Sequence, residues 1–390
     1  MQGLLQLAAR LLFQSKKTKP IPVVSGKHVA DNLYSDIVQK NYKSVFIASG
    51  KTIRNKGMLD KLIENLNANG INTVIFSDIV PDPTIENVEN GLKVFKEHNC
   101  DCMIAAGGGS VLDCAKVIAL RAANPHISVK LMSLYLIPCR ESVPIYAIPT
   151  TSGTGSEITF FSVITDTKKH KKLAILSDRY MPDKIVFDYE LLKHVPEKPT
   201  VYAGLDALTH SIEAYISTNS KTFADDVISA PDVCRDIFTY LPVAAKEPEN
   251  EEARLKMAEA SYKAGINFRR TSVGYVHAIA HRIGETYHIP HGLACAAALP
   301  HVLRSSLSEA GDRLNDLAVK SGIAESAEEL IDRICELERT LGIPEKFDEI
   351  NEKDFPIMIK RVLSEAALQG CPKMLNAKEV EDILKKLKTK

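Results

Sequence analysis

Two different hydrophobic patterns divide this chain, and they constrain its fold more than any other feature. In the first half, short apolar runs alternate with longer stretches of helical spacing, a pattern typical of βαβ units and a parallel sheet. The apolar runs occupy 44–49, 73–76, 102–106, 145–149 and 184–188. From Pro196 onward such runs give way to Ala, Leu, Glu and Lys at helical spacing. The second half is therefore predicted to be all-helical.

The length of the chain supports a division into two domains. Its 390 residues, 45% of them hydrophobic, are enough for two full cores. We predict an α/β domain over 1–195 and an all-helical domain over 196–390. Because no repeat or low-complexity linker separates the halves, we expect them to pack directly and to leave a cleft between them.

The composition excludes several classes of partner. The 49 basic residues balance 49 acidic ones, so no net charge attracts nucleic acid or an anionic membrane surface. No run approaches the roughly 18 apolar residues of a membrane-spanning helix. The eight cysteines are scattered without a C-x-x-C pair, which is typical of reduced thiols in a cytoplasmic protein.

The N-terminal segment allows two interpretations. Residues 1–30 contain basic but no acidic side chains, as in a transit peptide, yet the segment is poor in serine. The run 4–13 equally suits an amphipathic helix, which is the interpretation we favour.

A glycine-rich turn follows the apolar run that ends at Ala106. Gly107, Gly108 and Gly109 lead into Ser110 and a helical stretch that contains Asp113. Glycines let a phosphate approach the backbone, and the helix start supplies free N–H donors. The alternative is a tight βα turn without a ligand, in which Asp113 stabilises the helix N-terminus through the helix dipole. Three adjacent glycines are more than such a turn requires. The turn therefore predicts phosphate binding.

A second turn rich in hydroxyl groups follows the apolar run 145–149. Thr150, Thr151, Ser152 and Thr154 can donate hydrogen bonds to a nucleotide, although a flexible loop is the commoner origin of such composition. Two such turns at the ends of parallel strands indicate a nucleotide site, because open α/β sheets bind nucleotides there.

Histidines are concentrated in one part of the second half, at His277, His281, His288 and His291. The first two are four residues apart, as are Asp206 and His210, so each pair shares a helix face. One carboxylate and several imidazoles in a shared space favour a site for Fe(II) or Zn(II) over isolated structural histidines.

A zinc metalloprotease is the obvious rival, because two histidines at this spacing are part of its motif. Ala278 stands where that motif needs a glutamate, so the general base is missing. A metal acting as a Lewis acid beside a nucleotide-binding sheet instead favours hydride transfer between an alcohol carbon and a nicotinamide.

The chain resembles the iron-containing, group III alcohol dehydrogenases over roughly residues 20–390. Four ordered motifs carry the resemblance: 107–116 with its three glycines, the Pro-Thr-Thr-Ser-Gly-Thr-Gly-Ser-Glu segment 149–157, 204–215 around Asp206 and His210, and 277–301 with its histidines. The resemblance implies a Rossmann-like N-terminal domain, a helical C-terminal domain, a dinucleotide, one divalent ion that is most often Fe(II) and sometimes Zn(II), and a homodimer.

The resemblance also implies a role for individual residues. The metal ligands would be Asp206, His210, His277 and His291. His281 would line the cavity and serve the proton path, and His288 would be structural. The glycine turn would hold the pyrophosphate, the threonines would contact the nucleotide, and Lys172 would lie near the ribose.

Three departures from the family pattern bear on cofactor and substrate. Gly50 stands where many NAD-preferring members carry an aspartate, so a 2′-phosphate is not repelled, and Ser49 or Lys51 could bind it. We therefore hypothesise that NADP(H) is accepted. Asp82 replaces a family asparagine and adds charge near the nucleotide. Arg282 replaces a proline and either favours an acidic substrate or faces solvent.

The sequence thus predicts a metal-dependent alcohol dehydrogenase or aldehyde reductase using NAD or NADP. A polyol or glycerol-phosphate dehydrogenase, or a dehydroquinate-synthase-like lyase, is the alternative within the same superfamily. A nucleotide-binding protein without catalysis is the alternative from another class. The substrate is not predicted, since pocket shape depends on side chains from both halves.

Overall fold

The computed structural model describes residues 20–134, 137–169 and 171–389. The helix predicted over 4–13 lies outside these residues. The described chain forms two compact units, one made of 20–151 and 156–195 and the other of 152–155 and 196–389. The short segment 152–155 packs with the second unit, which the strand pattern did not predict.

The first unit is built on a parallel sheet of six strands in the order β1-β8-β5-β4-β2-β3. Its strands and those of a separate antiparallel hairpin are β1 Val23–Gly26, β2 Ser44–Ser49, β3 Asn72–Phe76, β4 Cys102–Gly107, β5 Ile145–Pro149, β6 Phe161–Asp166, β7 Lys171–Leu176 and β8 Lys184–Asp188. The central strands β2, β4 and β5 are buried along their whole length, as expected for a sheet covered on both faces.

Helices connect the strands of this unit. They are α1 Leu33–Gln39, α2 Lys51–Asn55, α3 Asp60–Ala68, α4 Ile85–Glu97, α5 Gly109–Ala123, α6 Val129–Met132 and α7 Tyr189–Leu192. Helix α4 begins with a capping box in which the Thr84 hydroxyl accepts a hydrogen bond from Asn87 N–H. Helix α5 is mostly buried, because its apolar residues pack against the sheet and the hairpin.

The second unit is helical. Its helices are α8 Glu197–Ile216, α9 Ala224–Val227, α10 Ala230–Lys246, α11 Glu251–Thr271, α12 Tyr275–Tyr287, α13 His291–Ser305, α14 Leu307–Ser321, α15 Ala327–Thr340, α16 Phe355–Leu363 and α17 Ala377–Leu387. Helix α8 is buried almost throughout its second half and contacts α10, α11 and α13. The predicted fold, a parallel-sheet half followed by a helical half, is confirmed.

None of the helices among the described residues is both long and apolar enough to cross a bilayer.

Candidate metal centre and nucleotide-binding edge

Helix α8 supplies the first two candidate metal ligands. Asp206 and His210 lie one turn apart and are nearly fully buried, with His210 Nδ1 4.0 Å from Asp206 Oδ2. The His210 ring stacks on Phe268, and its imidazole is hydrogen-bonded to the backbone of Gly153. Such burial of a carboxylate and an imidazole is costly unless something pairs with them.

Helices α12 and α13 bring the other two candidates to the same place. His277 Nε2 and His291 Nε2 each lie 3.5 Å from Asp206 Oδ1. The His210 and His277 rings are stacked with centroids 4.5 Å apart. The structure therefore brings Asp206, His277 and His291 into one donor group, with His210 stacked beside it.

Three polar atoms in this cluster are buried without a hydrogen-bond partner among the described residues. They are Asp206 Oδ1, His210 Nδ1 and His277 Nε2. Leaving such groups unpaired costs about 1–3 kcal/mol each, and native proteins rarely do so. For a zinc-like ion with ligands at about 2.05 Å, tetrahedral donor atoms lie about 3.4 Å apart, close to the spacings at Asp206. The residues present fit a divalent cation.

The charge states in the cluster depend on its mutual contacts: burial alone would lower the pKa of His277 and of His291, but Cys295 and nearby carboxylates outweigh it and raise both. Burial lowers the pKa of His210 to about 3, which keeps its imidazole neutral. Burial alone would raise the pKa of Asp206, but the charges of His291 and His277 and the hydrogen bond from His277 outweigh it and hold that pKa below its usual range. An ionised carboxylate and a neutral imidazole are the forms that ligate metals.

Glu213 is part of this site and was not singled out from the sequence. Its Oε2 accepts a hydrogen bond from His277 Nδ1 at 2.6 Å, and its carboxylate also accepts from Gly274 N–H and Val276 N–H, each at 2.7 Å. With its proton on Nδ1, His277 directs the Nε2 lone pair toward Asp206. A carboxylate one turn after His210 on the same helix face was the signal available in the sequence.

Cys295 is the second residue that the sequence analysis missed. It is fully buried on α13, one turn after His291, with Sγ 3.6 Å from His291 Nε2. The donor atoms of Asp206, His277, His291 and Cys295 all lie within 4.8 Å of one another. The spacing of four residues from His291 was its sequence signal.

The remaining histidines of the cluster lie outside the donor group. The His281 ring stacks on that of His291 with centroids 5.3 Å apart, and its Nδ1 lies 4.0 Å from Glu365 Oε1. His288 is exposed at the C-terminal end of α12 in a left-handed conformation. The proton-path role of His281 stays a prediction.

The first unit carries the predicted nucleotide residues at one sheet edge. Because the strands are parallel, Gly50, Gly107 and Thr150 follow neighbouring strands at their carboxyl ends. Thr150 N–H donates to Gly107 C=O at 3.0 Å, so the two turns abut. Helix α5 starts at Gly109, with Gly108 as its N-cap and Ser110 in its first turn. This edge has the form of a phosphate-binding βα turn.

Packing accounts for part of this motif. A Cβ atom at Gly107 would lie 2.6 Å from the Val111 side chain. Asp113 accepts hydrogen bonds from the Ser156 hydroxyl at 2.5 Å and from Val163 N–H at 2.8 Å. Its carboxylate oxygens are therefore engaged in joining α5 to the hairpin, and a role in cofactor binding stays a prediction.

The hydroxyl-rich turn is shared between the two units. Thr150 and Thr151 belong to the first unit, whereas Ser152 and Thr154 lie in the segment that packs with the second. Within that unit Gly153 lies against the backbone of Ala203 on α8. The nucleotide contacts predicted for these hydroxyls stay predictions.

Three charged residues near these features have partners within the chain. Lys172 Nζ lies 2.6 Å from Asp82 Oδ1, which joins two residues expected near the nucleotide. Lys51 Nζ lies 3.9 Å from Asp78 Oδ1, so the charge of Lys51 has a carboxylate partner. Arg282 is partly buried and pairs with Glu285 at 2.8 Å and Glu365 at 3.0 Å. Its charge is therefore balanced within the helical unit.

One unit thus offers a glycine-rich edge of a parallel sheet and the other a buried donor set for a divalent ion. These features define a class of proteins, the metal-dependent oxidoreductases that use a dinucleotide.

Comparison with known proteins gives the family. Residues 20–189 match the family described as iron-containing alcohol dehydrogenase, and residues 200–388 match the C-terminal domain of the Fe-containing alcohol dehydrogenase family. Alcohol dehydrogenase 4 of Saccharomyces cerevisiae (strain YJM789) is 35% identical over 94% of this chain and 97% of its own length. The 1,3-propanediol dehydrogenase of Citrobacter freundii is 35% identical over 88% and 91%.

A solved structure agrees with these matches. The crystal structure of a 1,3-propanediol oxidoreductase covers 95% of this chain and 99% of its own, with a TM-score of 0.88 and 31% identity. The chain belongs to the iron-containing alcohol dehydrogenase family, as its motifs predicted. It is an alcohol dehydrogenase or aldehyde reductase that depends on a nicotinamide cofactor and a metal.

Proposed function

We propose that this enzyme interconverts small alcohols and aldehydes with one divalent ion held by Asp206, His210, His277 and His291. The observation that carries the proposal is that Asp206 Oδ1, His210 Nδ1 and His277 Nε2, on neighbouring side chains, are all buried and unpaired among the described residues. When bound, the ion supplies Lewis acidity toward a substrate oxygen, and the nicotinamide accepts or donates hydride. We infer Fe(II) as the native ion from the family, with Zn(II) as the alternative.

The protein's own contribution is positioning. Glu213 holds His277 in one tautomer, and the ionised Asp206 supplies the negative charge that a cation needs. His281 is stacked on His291 and is partly exposed, so it is placed to pass a proton between the site and solvent. Replacing His281 with Gln should change the pH profile of turnover while leaving metal content intact.

The cofactor's phosphates are assigned to Gly107, Gly108, Gly109 and Ser110 at the start of α5. The N–H groups of a helix start have no carbonyl partner within the helix and favour an anion. Thr150, Thr151, Ser152 and Thr154 are assigned to hydrogen bonds with the rest of the nucleotide, and Lys172 to the neighbourhood of its ribose. Asp113 acts on the cofactor through the position of α5, because its oxygens are engaged by Ser156 and Val163.

Acceptance of NADP(H) is proposed from the residues around Gly50. Gly50 has no carboxylate to repel a 2′-phosphate, and the exposed Lys51 supplies a positive charge. Asp78 opposes this, since its carboxylate neutralises Lys51. A matched pair of variants tests both influences: Lys51→Ala should lower the ratio of kcat/KM for NADP(H) to that for NAD(H), and Asp78→Asn should raise it. An unchanged ratio in both variants would reject a role for this edge.

Two further properties are proposed. A homodimer is inferred from the family resemblance and is checked by light scattering on the purified protein. A cytoplasmic location is inferred from the eight cysteines, none of which forms a disulfide. Fractionation of the source cells tests this location.

The proposed function is tested by assaying NADH and NADPH oxidation across short, long, branched and acidic aldehydes, and NAD and NADP reduction with polyols and glycerol phosphate, after separate reconstitution with Fe(II) and Zn(II). His277→Ala should lose both bound metal and turnover. His288→Asn is the matched control, because asparagine tolerates the left-handed conformation and His288 lies outside the donor group. Full turnover in the His277→Ala variant would reject the metal mechanism, and activity confined to polyols or glycerol phosphate would favour the alternative dehydrogenases. Binding of cofactor without turnover on any substrate would favour the non-catalytic alternative.

A further inference from the structure

The Cys295 thiol lies within the group of donor atoms at the proposed metal site. Its side chain is fully buried, and its Sγ lies 3.6 Å from Nε2 and 4.0 Å from Nδ1 of His291. The sulfur belongs to one four-atom group with donor atoms of Asp206, His277 and His291, all within 4.8 Å of one another. Two of these neighbours, Asp206 Oδ1 and His277 Nε2, are buried atoms without a hydrogen-bond partner among the described residues.

The spacing of these atoms matches coordination by sulfur. With a metal to sulfur bond of about 2.3 Å and a metal to nitrogen bond of about 2.05 Å, an angle of about 110° at the metal puts the two donors about 3.6 Å apart. That is the separation between Cys295 Sγ and His291 Nε2. The two Asp206 to histidine separations of 3.5 Å agree with the same geometry.

We propose that Cys295 is an additional metal donor of this enzyme, binding the ion as a thiolate together with Asp206, His277 and His291. The inference rests on the proposed function, in which a divalent ion occupies this site. On binding, the S–H bond breaks, a sulfur–metal bond forms, and the proton passes to solvent. His210 lies on the other side of Asp206, with Nδ1 4.0 Å from Oδ2, and its imidazole completes a five-donor set.

A sulfur donor changes which ion the site prefers. Thiolates are soft ligands that favour Zn(II) and Co(II) over the harder Mn(II), whereas a set of one carboxylate and three imidazoles discriminates less. The site is therefore expected to bind Zn(II) more tightly, relative to Mn(II), than it would without Cys295. The rival explanation is that the thiol only packs against His291 and donates a weak S–H hydrogen bond.

Spectroscopy of the wild-type protein reconstituted with Co(II) without oxygen separates the two explanations. We expect visible Co(II) ligand-field bands together with a near-ultraviolet sulfur-to-cobalt charge-transfer band. X-ray absorption of the Zn(II) form should show one sulfur neighbour at about 2.3 Å. Neither measurement depends on turnover or on a variant that folds.

Variants then show whether Cys295 supplies the sulfur donor. Cys295→Ser should lose the charge-transfer band and about tenfold or more of the Zn(II) affinity, and should leave the Mn(II) affinity little changed. Cys234→Ser is the matched control, since Cys234 is equally buried in the helical unit but outside the donor group. It should keep both the band and the affinity.

The possible failures are distinguishable. Ligand-field bands without charge transfer, or a charge-transfer band that persists in Cys295→Ser, would overturn the role of Cys295 and leave the proposed function intact. Failure of the wild-type protein to bind Co(II) or Zn(II) at all would remove the metal centre, and with it both proposals.

Discussion

At the scale of single residues, Glu213 shows how one carboxylate can orient a proposed metal ligand without belonging to the donor group. It accepts three N–H groups, from the backbone of Gly274 and Val276 at the start of α12 and from His277 Nδ1. The same side chain therefore caps a helix and fixes the tautomer of a ligand on that helix. An amide cannot accept all three, because its NH2 group would face one of the N–H donors.

Glu213→Gln is accordingly expected to weaken Zn(II) binding by about ten- to hundredfold, as is usual when a partner of a ligating histidine is changed. Titration calorimetry of the metal-free protein measures the affinity. Glu285→Gln is the control, because Glu285 lies on α12, the helix that carries His277, but pairs with Arg282 and Arg361. Equal affinities in the two variants would contradict the positioning role of Glu213.

Glu157 is a second residue whose environment has a measurable consequence. It is almost fully buried, and burial raises its pKa to about 7 against the opposing effects of backbone hydrogen bonding and Lys116. The folded protein therefore keeps a proton that the unfolded chain releases above its ordinary value of 4.5. Stability falls as the pH rises from about 4.5 to about 7, by at most about 1.4 kcal/mol per pH unit.

Glu157→Gln removes this titration, so its unfolding free energy should fall less than that of the wild type over the same pH window. Chemical denaturation at a series of pH values measures the difference. Glu64→Gln, at a well-exposed position in the same unit, should follow the wild-type curve. Parallel curves for the wild type and Glu157→Gln would show that Glu157 titrates as an ordinary carboxylate.

At the scale of elements, the close approach of α13 to α8 decides where His291 lies. Gly292 begins this approach, since a Cβ atom there would overlap the backbone carbonyl of Tyr202 on α8. Asp206 lies one turn further along α8, and His291 Nε2 is 3.5 Å from it. The absence of a side chain at Gly292 thus lets two helices distant in sequence share a ligand cluster.

Gly292→Ala is expected to force the two helices apart, costing about 1–3 kcal/mol of stability and weakening metal binding. Gly311→Ala is the matched control, because Gly311 lies within α14 and has no heavy atom near its Cβ position. That change should stabilise the protein by up to about 1 kcal/mol through helix propensity. Thermal unfolding and metal titration of both variants check this; a Gly292→Ala protein of wild-type stability would contradict the packing argument.

At the scale of the whole molecule, the proposed metal centre joins segments separated by more than 80 residues of sequence, since Asp206 lies on α8 and His291 on α13. An ion bound only by the folded state stabilises it by about 2.7 kcal/mol when its free concentration is a hundred times the dissociation constant. The helices that carry the ligands all belong to the second unit.

Addition of Zn(II) should therefore slow amide hydrogen exchange in α8, α12 and α13, and leave β4 and β5 of the first unit largely unchanged. Mass spectrometry of exchanged peptides, with and without a chelator, measures both units in one experiment. The His277→Ala variant should show no metal-dependent slowing. Equal slowing in both units would show that the ion stabilises more than the helices that bind it.

Many features of this protein could be predicted from its sequence, because they depend on residues that lie close together along the chain. Alternating apolar runs encode strands, and the pairs Asp206/His210 and His277/His281 share a helix face through the pitch of the helix alone. The four ordered motifs at 107–116, 149–157, 204–215 and 277–301 identified the family, which comparison confirms. Parallel strands also make it predictable that Gly50, Gly107 and Thr150 lie at one edge of the sheet.

Tertiary structure decided what depends on distances between elements. Only the packing of α8, α12 and α13 places Glu213 on His277 and Cys295 beside His291, and only the joining of α5 to the hairpin engages both oxygens of Asp113. Residue spacing fixes which side chains share a helix face, whereas contacts between helices follow from close packing over the whole unit. For that reason the sequence by itself determined the fold class, the family and the candidate ligands, while the structure determined which neighbours orient them.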